Sequence, residues 1–188
     1  MPRRSPAHRT AACAALALAV ALAGCAAPAE PEPEPTPTKT AAAPIFASDE
    51  EAFAAAAEAY GRFRQALTAA TSKGSVEGVD FSDVAVGEGL EQANEALASY
   101  EEAGNHTSGD VTFDVRQHVQ YFEDPRRGAV VQVNICEDIS QLDVLDADGK
   151  SVVRDGRTEI VPYEVILEGM SPDELKVSDR WARGTFCS

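Results

Sequence analysis

Asp114, His118, Tyr121, Asp138 and Tyr163 are the side chains in the C-terminal half whose types suit proton transfer. A carboxylate or imidazole would take the proton, and a phenol would hold the oxygen that gains charge. Such chemistry needs them buried together. Asp114 and His118 share strand parity opposite to Val111, Phe113 and Tyr121, so the simplest register turns them away from that apolar face. The plainer reading is solvated strand faces and core tyrosines. Metal chemistry has less to draw on. Val144, Asp146, Asp148, Gly149 and Asp155 fall at calcium-loop offsets, but a Val in the first position and an Asp in the last favour a hairpin turn instead. Zinc would have only His106 and His118, with His106 reading as loop beside Gly104. With no Gly-rich phosphate loop and no Gly-x-Ser-x-Gly elbow either, neither a metal nor an organic cofactor is expected.

A different chemistry is offered near the N-terminus by Leu22-Ala23-Gly24-Cys25. Small residues before a cysteine let a peptidase approach the backbone, and the thiol is nucleophilic enough to accept a lipid. Arg3, Arg4 and Arg9 precede an apolar stretch from Ala11 to Ala23, which suits the hydrophobic region of a signal peptide. A bilayer span needs about 20 apolar residues, so this stretch is too short to cross. The element resembles the bacterial lipobox. That resemblance implies cleavage between Gly24 and Cys25, a diacylglycerol group on Cys25, and stable anchoring once a second acyl signal is present. The expected location is the extracytoplasmic face of the cell membrane, with the bilayer itself a partner through Cys25. Ordinary secretion with cleavage at an alanine pair is the alternative.

The chain carries 16 basic and 31 acidic side chains. Removing the leader's three arginines leaves 13 against 31, a formal charge of −18. Nucleic acid is excluded as a partner, since phosphate neutralisation needs clustered Lys and Arg. Residues 26–47 alternate proline with Ala, Glu and Thr and lack apolar content to fold, so they read as an extended tether with a reach of roughly 60 Å. The expected organisation is a leader over 1–24, a lipidated cysteine and tether over 25–47, and one folded domain over 48–188.

Within that domain Ser48 to Glu51 reads as a capping box. It opens a helix whose apolar face carries Phe53, Ala56, Ala57, Tyr60, Phe63, Leu67 and Ala70, and Lys73-Gly74 ends it. A short helix or turn over 81–86 follows, punctuated by Gly87 and Gly89. Leu90, Ala93, Leu97 and Tyr100 line a second helix that stops at Gly104. The period then becomes alternating. Val111, Phe113, Val115, Val119 and Tyr121 share one face, as do Val131, Val133 and Ile135. Asp146 to Gly149 predicts a hairpin between 142–145 and 151–153. Val161, Tyr163, Val165 and Leu167 form a further strand, in which Pro162 argues for an edge or for the strand's first residues. Leu175 and Val177 begin the last one. Helices followed by strands predict an α+β fold, with N-terminal helices packed on a curved antiparallel sheet.

With Cys13 in the leader and Cys25 spent on lipid, Cys136 and Cys187 are left to pair, stapling the C-terminus to a strand. Two free thiols or a redox pair are the competing readings, and neither has a Cys-x-x-Cys spacing behind it. Cys136-Glu137-Asp138, the 142–149 segment Leu-Asp-Val-Leu-Asp-Ala-Asp-Gly, Leu175 to Asp179 and the final Cys187 resemble small lipoproteins of high-GC Gram-positive bacteria. Those are similar to the nuclear transport factor 2-like superfamily, whose fold is a cone of curved sheet closed by helices. The resemblance implies a pocket in the cone, and homodimerisation through the open face of the sheet. It does not choose between binding and catalysis. The residues favour a domain that binds or scaffolds, with another envelope protein or a small apolar molecule as partner. The second reading is a cofactor-free isomerase or cyclase acting on such a molecule, using the five side chains named first.

Overall fold

Ser48 starts the first helix with extended backbone (φ −154°, ψ 164°), its hydroxyl accepting the Glu51 N–H at 3.3 Å. The Glu51 carboxylate turns back to accept the Ala47 N–H at 2.9 Å, closing the capping box one residue before Ser48. The computed structural model describes residues 43–187. The helix, α1, runs Asp49–Thr71 and buries Phe53, Ala56, Tyr60, Phe63, Leu67 and Ala70. Ala52 and Ala59 are buried with them, whereas Ala57 is only half-buried. Helix α2, Gly87–Ala103, turns Leu97 and Ala93 inward and ends on Gly104, whose left-handed backbone (φ 64°) lets Tyr100 and Glu101 carbonyls be satisfied.

Gly87 and Gly89, expected to punctuate the chain before this helix, form its first turn. At Gly89 the reason is contact: an added Cβ would stand 2.5 Å from the Val177 carbonyl oxygen, so glycine lets the helix lie directly on a strand backbone.

Six strands follow: β1 His106–Ser108, β2 Thr112–Asp124, β3 Gly128–Asp138, β4 Asp143–Leu145, β5 Ile160–Gly169 and β6 Lys176–Ala182. An antiparallel sheet in the order β2-β3-β5-β6 carries both helices on one face. The fold is α+β, with two N-terminal helices packed on an antiparallel sheet. The free side of β6 is met by the segment before α2, where Ala85 bridges Val177 in parallel and Val177 N–H donates to the Val84 carbonyl.

One local expectation changes. His106 is strand rather than loop, because β1 pairs with β4 in a separate two-stranded ribbon. The segment 142–145 pairs with β1 on one side and forms the expected hairpin on the other, where Leu145 bridges Ser151, Val152 N–H donates to the Val144 carbonyl and Asp146 N–H to that of Lys150. Strand β5 is internal, and of the two places expected for Pro162 it takes the strand's first residues, before pairing with β6 begins at Tyr163.

The helix-facing side of the sheet supplies Val131, Val133 and Ile135 from β3, Val165 and Leu167 from β5, and Val177 from β6, all fully buried. They pack with α1, α2, Phe81 and Leu175 into one core. Phe46, placed by the sequence in the tether, belongs to that core, and its ring meets Tyr121 edge-on at 5.6 Å. Ile45 N–H donates to Glu123 at 2.7 Å, so the folded region starts before Ser48.

Strand β2 breaks its alternation twice, with bulges between Val115 and Gln117 and between His118 and Gln120. Each extra residue flips the parity that follows. Phe113 and Val115 pack on the core, His118 takes the inner face between the two bulges, and Tyr121 returns to it. Val119, expected among the apolar inner set, is 45% exposed.

Candidate functional site

Tyr60 and Arg64 stand one helical turn apart on α1, so their side chains descend together onto the sheet. Beneath them lies Glu137, the next inward residue of β3 after Val131, Val133 and Ile135. Glu137 is 2% exposed, and a carboxylate so buried requires partners. Three converge on it. The Tyr60 hydroxyl donates to Oε1 at 2.7 Å, and Arg180 Nη2 donates to Oε2 at 2.9 Å. Arg64 Nε lies 3.0 Å from Oε1, but its N–H is not aimed along that line, so the contact is ionic and the N–H makes no hydrogen bond. Arg180 closes the ring by donating from Nε to the Tyr60 oxygen at 2.9 Å.

Arg180 reaches this place through a third irregularity. The register between β5 and β6 shifts at Ile166/Leu167, leaving Ser178 as an extra residue, so Arg180 rather than Asp179 follows Val177 onto the inner face. Its guanidinium lies on the Tyr163 ring, 3.4 Å from the centroid.

The electrostatics lock the cluster. Burial raises the Tyr60 phenol far above its ordinary value; Arg180 pulls against the rise and Glu137 adds to it, so Tyr60 remains a proton donor. Burial works to lower Arg180, but Tyr60 and Glu137 raise it by more, and it stays charged.

Next to the cluster is a cavity of about 250 Å³ between α1, α2 and the sheet. Arg64, Arg180, Glu137, Tyr100 and Tyr163 supply its polar wall, while Leu67, Ile139, Leu142 and Val161 supply the apolar one. Thr71 and Thr107 share a hydrogen bond of 2.9 Å at its edge.

Of the five side chains singled out in the sequence, only Tyr163 lines this cavity. Asp114 faces the other side of the sheet, exposed and paired with Arg116 at 3.3 Å. Asp138 shares that side, and hydrogen bonds from Ser140 hold its carboxyl below the usual range. Tyr121 packs on Phe46 and donates to Glu123 at 2.7 Å. His118 does face inward, contrary to its sequence parity, but it is stacked on Phe53 with centroids 4.2 Å apart. The five are not one site. Glu137, Arg64, Arg180 and Tyr100 were passed over, although period two carried from Val131 to Ile135 points directly at Glu137.

Asp146, aligned with a calcium-loop offset, accepts the Asp148 and Lys150 N–H groups and so builds the turn. Among the described residues no group of three or more His, Cys, Asp or Glu side chains is arranged to hold a metal ion. Cys136 and Cys187 form a disulfide with Cα atoms 5.6 Å apart, on the sheet side away from the helices. Closing a span of 51 residues is worth about 4 kcal/mol in the chain-entropy model. Cys25 lies outside the described residues.

No protein-family model matches the chain, and no curated protein does. Among solved structures, the chain is similar to the intermembrane space region of the chloroplast protein ARC6. The TM-score is 0.46 at 12% identity, covering 69% of this chain and 95% of that one. At that score the likeness bears on neither activity nor partners.

Proposed function

We propose that this is a lipid-anchored protein of the cell envelope whose folded domain binds a small molecule in the cavity without transforming it. The observation that carries the binding reading is the pairing of Glu137, the one carboxylate on the cavity wall, with two arginines. Tyr60 and Arg180 each donate a hydrogen bond to it and the Arg64 guanidinium lies 3.0 Å away, so its charge is committed to two cations rather than held ready for a substrate proton. Tyr60, the phenol in contact with it, is held in its protonated form by burial. An isomerase or cyclase would need a base open to the cavity, and Asp114, His118 and Asp138 do not line it. What the cavity offers is a polar wall beside an apolar one, which suits recognition.

The anchor rests on Leu22-Ala23-Gly24-Cys25 and the basic, alanine-rich stretch before it. Among the described residues no helix is long and apolar enough to cross a membrane. A lipid on Cys25, followed by the proline-rich tether, would hold the domain away from the bilayer on its extracytoplasmic face.

Two measurements test the reading. Mass spectrometry of the protein from a membrane fraction is expected to find Cys25 as an acylated first residue, and an unmodified N-terminus elsewhere rejects the anchor. Incubation with a metabolite panel, followed by both thermal stability and product analysis, is expected to show stabilisation without turnover. Turnover that disappears with Glu137→Gln in a folded protein rejects the non-catalytic reading.

A further inference from the structure

The cavity wall carries more positive charge than its one carboxylate can balance. Arg64 and Arg180 both line it, and Glu137 is the single acidic side chain among the lining residues. A third guanidinium sits behind the wall: Arg157 donates to the carbonyls of Ile139 and Leu142, both cavity residues. Among the described residues Arg157 makes no ion pair. Both Arg64 and Arg157 act on the Tyr100 phenol, which burial raises and these two cations pull back down. This positive interior belongs to a strongly acidic chain of formal charge −15, so its sign is local and set by the fold.

The donors are also unspent. Arg180 uses Nε on Tyr60 and Nη2 on Glu137, which leaves Nη1 without a hydrogen bond among the described residues. Arg64 makes no hydrogen bond there: its buried Nε is in ionic contact with Glu137 at 3.0 Å, and its two η nitrogens are unspent. A guanidinium with free N–H groups on a cavity wall is matched by a planar anion that can accept two of them.

Resting on the reading of this cavity as a binding site, we propose that its ligand is a small monocarboxylate with an apolar body. Arg64 and Arg180 would hold the carboxylate, and Leu67, Ile139, Leu142 and Val161 would cover the body. The lining itself carries one surplus positive charge, which a monoanion balances. Size follows from volume. A cavity of about 150 Å³ holds benzene, so about 250 Å³ holds roughly ten non-hydrogen atoms.

The test uses the full chain, titrated with benzoate and phenylacetate, with their neutral amides and with inorganic phosphate, and read by calorimetry and by the arginine Nε–H resonances in NMR. The acids are expected to bind at least tenfold tighter than the amides and tighter than phosphate, and to move the Arg64 and Arg180 signals. Arg64→Gln should lose that preference while its circular dichroism stays native. Arg64→Lys keeps a charge beside Glu137 and loses the fork, so it should weaken the acids several-fold and serves as the variant if Arg64→Gln does not fold. Amides that bind as well as the acids overturn the anionic ligand and leave a binding cavity in place. Tighter binding of phosphate, or unchanged acid affinity in both variants, also overturns it. Failure of acids and amides alike removes the binding reading together with the inference.

Discussion

Arg180 lies on the ring of Tyr163, 3.4 Å from its centroid, while one of its η nitrogens is held by Glu137. The stack explains why a residue near the C-terminus can hold a buried carboxylate. The ring covers one face of the guanidinium, Tyr60 and Glu137 satisfy its edge, and little of its charge meets water.

Removing the carboxylate should therefore leave two cations facing each other in a nearly dry place. Glu137→Gln is expected to cost about 3–5 kcal/mol, as for breaking one partner of a buried ion pair. Arg180→Lys should cost less but still be clearly destabilising, since an ammonium cannot bridge Tyr60 and Glu137 while lying on a ring. Urea unfolding of the three proteins checks the order.

Tyr60 gives the fold an alkaline limit. Its phenol keeps a proton in the folded state at a pH where the unfolded chain has lost it, because burial raises it from an ordinary value of 10.0. The folded state then binds more protons, so this stability is complete below pH 10 and falls as pH rises beyond it. Tyr60→Phe should lower stability by about 1–3 kcal/mol near neutrality and flatten the alkaline slope. Unfolding midpoints on either side of pH 10 decide it.

The two bulges in β2 reverse the consequences of adjacent substitutions. Val119→Asp should change stability by no more than about 0.5 kcal/mol, because the position is exposed. His118→Asp should cost about 0.5–1.5 kcal/mol through loss of the Phe53 stack, although the position is itself exposed. Equal losses, or a larger one at Val119, would mean the strand alternates regularly.

Gly89→Ala offers a test of sign. Alanine favours a helix over glycine by about 1 kcal/mol, so an uncrowded site would be stabilised. Here the new Cβ would stand 2.5 Å from the Val177 carbonyl, and the variant should instead lose stability as α2 is pushed off β6. A raised melting temperature would show that the contact yields.

Periodicity and caps settled much of this protein before any contact was known. Phe53, Tyr60, Phe63 and Leu67 recur at helical spacing, Ser48 and Glu51 carry their own cap, and Gly104 ends α2 through its left-handed backbone. These are local interactions, so the local sequence contains them. The same holds for Val131, Val133 and Ile135, and Glu137 was readable as the next inward residue of that row.

The site itself was decided by tertiary structure. Extra residues in β2 turn His118 inward and Val119 outward, and the one in β6 brings Arg180 beneath α1 while Asp179 meets Gln92 of α2. A bulge is chosen by how two strands and a helix pack together, and alternation along one strand carries no trace of it. Tyr60 and Arg64 come from one helix, Glu137 from the middle of the sheet and Arg180 from its edge strand. Only the packing of α1 across β3 and β6 brings their charges within 3 Å of one another.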